Sequence, residues 1–244
     1  MRKIAFSFFL PGACLISVVL ISCKNDSYLL DPPAIPDQSF VEEFDTLQTA
    51  YNKGWRFINR SEDIGVSKWT QGSISGSLTA YSSKGTNAGF ISTDYQSTAG
   101  ATAIISNWAV SPSITLQNGD KIVFYTITNL TDIGGGDSTD FANRLQVRIN
   151  PHNDELNVGD MDDPGQFDQL LLDINPNYEE YHSTPSLYSP DAYPARWTRF
   201  EATIHGLGKP VKGRFAFRYF VEDGGSNGRG NEIGIDSVAY ISKH

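Results

Sequence analysis

The sequence predicts an all-β protein, a sandwich of two packed antiparallel sheets, and three observations carry that expectation. Side chains alternate with period two: Leu145, Val147 and Ile149 are apolar between Gln146, Arg148 and Asn150, and Phe215, Phe217, Tyr219 and Val221 share one parity of a longer run. Turn-forming clusters such as Asn118-Gly119-Asp120 and Asp223-Gly224-Gly225-Ser226-Asn227-Gly228 separate the runs. No long amphipathic helix stands between them. Short strands with no helices to cover them bury their apolar faces against each other, which makes two layers of sheet.

In chain order, the first element is an export signal over residues 1–22. Arg2 and Lys3 open it and a mostly apolar run from Ile4 to Ile21 follows. Its end, Leu20-Ile21-Ser22-Cys23, resembles the bacterial lipobox, in which a diacylglycerol is attached to the cysteine thiol and the chain is cut just before it. Pro11-Gly12 and the marginal apolar length argue against a membrane-spanning helix, which needs about 20 mostly apolar residues. Cys23 is thus the expected lipidation site and the membrane an expected partner. Residues 23–38 form the lipidated cysteine and a tether stiffened by Pro32, Pro33 and Pro36. The expected place is the outer membrane or cell surface, the polar residues Asn25 and Asp26 after the cysteine fitting outward sorting.

The remainder, 39–244, reads as one β domain. Strands are expected at Phe40–Phe44, Ala103–Val110, Ile122–Thr128, Leu145–Asn150, Leu170–Ile174, Trp197–Ile204, Arg214–Val221 and Ile233–Ile241, with a short helical turn at Gln48–Lys53. In the last strand Ile233 and Ile235 share one parity and Val238 and Tyr240 the other. Either a bulge falls near Asp236-Ser237 or both faces of that strand are covered.

Composition narrows the function. Cys14 leaves with the signal, so the mature chain keeps only Cys23 and no disulfide framework forms. Roughly 220 residues then have to stabilise themselves through a core, which is enough for one sizeable domain. Loss of Arg2 and Lys3 takes the formal charge from −9 to −11, and such a surface repels phosphate backbones, which excludes nucleic acid as a partner. Asp160-Met161-Asp162-Asp163-Pro164-Gly165 echoes a calcium-binding loop but puts Pro164 at its fifth place and Leu171 where a bidentate Glu is needed. Gly134-Gly135-Gly136 lacks the Gly-Lys-Ser/Thr ending of a phosphate loop. There is no Gly-x-Ser-x-Gly elbow and no His-Glu-x-x-His pair, and His152, His182 and His205 are scattered, so no catalysis is expected.

Several segments, in order, resemble the choice-of-anchor J domain. They are Phe40-Val41-Glu42-Glu43-Phe44-Asp45, Gly54-Trp55, Asn107-Trp108-Ala109-Val110-Ser111-Pro112, Leu170-Leu171-Leu172-Asp173-Ile174, Phe215-Ala216-Phe217-Arg218-Tyr219 and Ile233-Gly234-Ile235-Asp236-Ser237-Val238. That group is related to the cleaved-adhesin domains of bacterial surface proteases and to MAM-like jelly rolls. The resemblance implies a jelly-roll β-sandwich, exported, without an assigned catalytic activity. It also implies a structural Ca2+ pinning the first strand to the last, which points to Glu43, Asp45, Asp94 and Asp236 as oxygen ligands.

Glycan binding is the second expectation. Sugar sites set exposed aromatic faces against the apolar face of the ring, and Trp69, Tyr81, Tyr95, Tyr181 and Tyr188 lie in or beside predicted loops. The sequence therefore reads as a non-catalytic surface lipoprotein whose sandwich mediates adhesion or binds a glycan or a surface protein. The alternative is a structural component of the cell envelope with no small-molecule ligand.

Overall fold

The computed structural model describes residues 35–83 and 86–243. The export signal, Cys23 and the tether as far as residue 34 lie outside the described residues. The chain forms, in order, β1 (Phe40–Glu42), α1 (Leu47–Lys53), β2 (Arg56–Asn59), β3 (Thr70–Gln71), β4 (Ile91–Asp94), β5 (Ala103–Val110), β6 (Ile114–Leu116) and β7 (Lys121–Thr128). There follow β8 (Thr131–Gly134), β9 (Asp137–Thr139), β10 (Leu145–Asn150), β11 (Gln169–Ile174), β12 (Thr198–Thr203), β13 (Val211–Gly224) and β14 (Glu232–Ile241).

Helix α1 is short because it is capped tightly at both ends. The Thr46 hydroxyl accepts from the Thr49 N–H at 3.2 Å. Gly54 ends the helix at φ 104°, in the left-handed region, while the N–H of Trp55 donates to the Ala50 carbonyl at 3.0 Å.

The strands make a jelly-roll β-sandwich of two antiparallel sheets. One sheet runs β12-β7-β14-β4-β3, with β1 also on β14; the other runs β11-β10-β13-β5-β2, with β6 also on β13. Strands β8 and β9 form a separate hairpin. Between the sheets, Ile105 and Ala109 of β5, Leu145, Val147 and Ile149 of β10, and Phe215, Phe217, Tyr219 and Val221 of β13 meet Ile122 and Phe124 of β7. Ile233, Ile235, Val238 and Tyr240 of β14 complete that core. The parity break in β14 is a bulge: its register with β7 shifts between Asp236 and Ala239, and Ser237 takes φ 51°. The bulge falls where β14 exchanges β4 for β1 as its neighbour on one flank.

Both outer faces carry a cover. On the sheet containing β13, Val158 and Phe167 pack on Trp108, Val110 and Ala216. There the Arg218 guanidinium lies between the rings of Trp108 and Phe220, 4.8 and 4.0 Å from their centroids. The series continues through Arg144, 5.2 Å from Phe220 and 5.3 Å from Tyr178, to Arg229, 4.6 Å from Tyr178. On the sheet containing β14, Leu78, Ala80 and Phe90 pack with Ile127 and Trp197. Gly234 makes that close approach possible, since a Cβ there would stand 3.1 Å from the Trp197 ring and 3.3 Å from that of Phe90.

Candidate functional site

The segment joining β11 to β12 builds a concavity of about 460 Å3. Its lining includes Tyr181, Tyr188, Pro190, Tyr193, Arg196 and Phe200. Carboxylates hold its wall. Asp140 accepts the Tyr181 N–H at 2.8 Å, and Asp137 accepts the Thr184 N–H at 2.9 Å and contacts His182 Nδ1 at 2.7 Å. The Thr184 N–H, with His182 and Ser183, holds the Asp137 carboxyl well below the usual carboxylate range. Burial pushes Asp140 the other way, up.

The floor is fixed as well. Tyr193 is fully buried, and its hydroxyl shares a 2.5 Å hydrogen bond with the Thr126 hydroxyl of β7. Phe200 of β12 stacks on Phe124 at 5.9 Å. Above this floor Tyr181 and Tyr188 meet edge to face, centroids 5.8 Å apart at 87°, and Tyr188 keeps 55% of its surface exposed. The result is an open aromatic pocket with hydroxyls at Ser189 and Thr198 and one guanidinium at Arg196. Its lining holds no carboxylate, imidazole or thiol.

Of the aromatic residues expected to bind a ligand, the structure brings Tyr181 and Tyr188 together and separates the others. Tyr95 opens a short 3-10 turn at the end of the sandwich and lines two smaller cavities of about 220 and 230 Å3 there. Tyr81 stacks on Tyr125 at 3.8 Å, over the outer face of the β14 sheet. Trp69 corrects the expectation. It is fully buried in the core and its indole N–H donates to the Asn107 carbonyl at 3.2 Å, so its ring face is not available to a ligand.

The four expected calcium ligands are also divided. Asp94 caps the 3-10 turn, accepting the Gln96 N–H at 3.0 Å, and Asp45 is exposed in the bend after β1. Glu43 and Asp236 do converge at the bulge, where Ser237 donates through its hydroxyl to Glu43 at 3.2 Å and through its N–H to Asp236 at 2.6 Å. Asp236 further accepts the N–H groups of Tyr81 and Ser82 at 2.8 and 3.0 Å. Burial outweighs these donors and pushes its carboxyl up to about 6. The second oxygen of Glu43 is buried with no hydrogen-bond donor. Among the described residues no three His, Cys, Asp or Glu side chains are grouped to hold a metal.

Sequence reasoning missed Glu232. This buried carboxylate accepts the Ile74 and Ser75 N–H groups at 2.6 and 3.1 Å and the Ser73 hydroxyl at 3.0 Å. With Asp236 it clasps the segment that covers the β14 sheet.

No family model matches the chain, and no curated protein matches it. Among solved structures it is similar to the K3 cleaved adhesin domain of Lys-gingipain from Porphyromonas gingivalis, at 16% identity over 85% of this chain and 99% of that domain, with a TM-score of 0.50. The K1 domain of the same protein is similar at 17% identity over 84% of this chain and 99% of that domain, with a TM-score of 0.49. At such identity the likeness establishes the fold alone.

Proposed function

We propose that this chain is a non-catalytic surface lipoprotein of choice-of-anchor J type, and that its jelly roll binds glycan in the pocket beside β12. The single observation that carries the reading is the pocket itself. Two tyrosine rings at right angles stand over an aromatic floor, on a wall fixed by Asp137 and Asp140. Such a surface offers CH-rich sugar faces a flat, preorganised partner, and hydroxyls for orientation. Binding is favoured over catalysis because the lining holds no carboxylate pair of the kind that hydrolyses glycosides. The test is a glycan array probed with the full chain and with Tyr188→Ala. Glycan binding that Tyr188→Ala weakens supports the reading; binding that the substitution leaves unchanged places the ligand elsewhere, and no binding at all removes it.

The anchor at Cys23 is part of the same proposal. Labelled palmitate should mark the parent and leave Cys23→Ser unmarked; labelling that survives the substitution contradicts it.

A structural Ca2+ at the Glu43–Asp236 corner is a second reading, favoured by the buried Glu43 oxygen that has no donor. Two carboxylates at the junction of β1, β4 and β14 would hold it with backbone oxygens, pinning the first strand to the last. The melting temperature should rise with Ca2+ and lose that response in Asp236→Ala. An unchanged melt in saturating Ca2+ rules the ion out.

A further inference from the structure

The arginines of the described residues are engaged, with one exception. Arg144 forks onto Asp173 at 2.9 and 2.7 Å, and Arg60, Arg199 and Arg229 pair with Asp160, Glu201 and Asp223. Arg56, Arg148 and Arg214 donate to backbone carbonyls, and Arg218 lies between its two rings. The guanidinium of Arg196 alone makes no hydrogen bond, ion pair or ring contact among the described residues. It stands on the rim of the pocket beside β12, in a chain whose acids outnumber its Lys and Arg by 28 to 19.

That placement has a chemical meaning. A guanidinium carries five donors in a planar fork and matches a carboxylate with two parallel hydrogen bonds. An acidic chain pairs such a group readily, as it does with its neighbour Arg199. Leaving Arg196 unpaired beside the edge-to-face tyrosines, with no acid in the lining, keeps the fork available to an anion that arrives with the ligand. The pocket volume suits one or two sugar rings rather than a large polyanion.

We propose that this pocket selects a carboxylate-bearing sugar, a uronic-acid residue of an oligosaccharide, with Tyr181 and Tyr188 taking the ring face and Arg196 the carboxylate. The proposal rests on the reading of the pocket as a glycan site and names the class of its ligand. It separates the two contributions: the rings contribute to any sugar that fits, and Arg196 contributes only to the acid.

The experiment measures binding of the full chain, held in detergent, to oligogalacturonate and to the same oligomer as its methyl ester, which keeps the sugar and removes the charge. The acid should bind about tenfold more tightly than the ester, the amount expected of one charge-assisted pair at a rim. Arg196→Gln should abolish that difference, and Tyr188→Ala should weaken both. Equal binding of acid and ester, still dependent on Tyr188, overturns the acidic-sugar inference and leaves the glycan reading standing. A preference for the acid that persists in Arg196→Gln overturns the assignment to Arg196. Failure to bind either oligomer, with neutral glycans captured in the same assay, overturns the inference alone; failure with every glycan overturns both.

Discussion

The two outer faces of the sandwich are closed by opposite chemistry. On the β13 sheet, guanidinium groups alternate with aromatic rings from Trp108 to Arg229, and the Trp108 and Arg218 side chains both donate to the Ser106 hydroxyl at 3.0 Å. On the β14 sheet, Glu232 and Asp236 collect the N–H groups of residues 74, 75, 81 and 82. One cover is held by cations that rings and acids share, the other by buried anions that backbone donors satisfy. Beside β12, at the edge of the second face, the Arg196 guanidinium stays unengaged next to open aromatic surface. The side chains that hold the two covers are engaged and Arg196 is not, a contrast that supports the proposed ligand site.

The comparison breaks most readily through Arg218, which is 1% exposed. Arg218→Ala removes the guanidinium from between two rings and leaves a cavity, and should cost about 3 kcal/mol or more in denaturant unfolding. Arg196→Ala should stay within about 0.5 kcal/mol of the parent. Similar losses in the two variants would mean that Arg196 is structural after all and that the contrast between the arginines is false.

A smaller effect comes from the anionic face. Burial raises the Asp236 carboxyl from its ordinary value near 3.8 to about 6, so the folded state binds this proton more tightly than the unfolded chain does. Its stabilising effect is complete below pH about 4 and is lost as pH rises through 6. Between pH 5 and 7 the parent should lose on the order of 1 kcal/mol that Asp236→Asn does not lose. The guanidinium face contributes nothing over that range, because burial and the neighbouring Arg148 and Arg144 bring Arg218 down only to about 9. A bound Ca2+ would compete with the proton at Asp236 and flatten the parent's profile. An identical pH response in parent and Asp236→Asn contradicts the assignment.

The smallest effect is local. Glu232→Gln exchanges a carboxylate that accepts several donors for an amide with one acceptor oxygen, which should cost about 1–2 kcal/mol. Hydrogen exchange should quicken at residues 73–78 first and stay unchanged at 155–168. Equal quickening on both faces would show that the two covers open together.

These contrasts explain what the sequence disclosed. Strand β5 falls at the expected residues because Ala103–Val110 is long and mostly apolar, and the parity break of Ile233, Ile235, Val238 and Tyr240 left a bulge as one of two readings, the one the register with β7 shows. Strands β2, β3, β4, β6, β8 and β9 have two to four residues each, too few for alternation to register. Trp69 misled for a related reason. Its neighbours Lys68, Gly72 and Ser73 are those of a loop, and only tertiary packing turns its ring inward over Asn107. Tyr181 and Tyr188 were legible as aromatics in a Ser- and Pro-rich segment. Arg196 was not, because its character lies in what it does not touch, and that requires the positions of every nearby acid.

The central claim is that the pocket beside β12 is the binding surface and the outer face of the β13 sheet is scaffold. Hydrogen exchange of the full chain with and without a glycan it retains on the array tests this most directly. Protection confined to residues 181–200 is the predicted result. Protection at 155–168, or at the sandwich end around Tyr95, with none at 181–200, would contradict it.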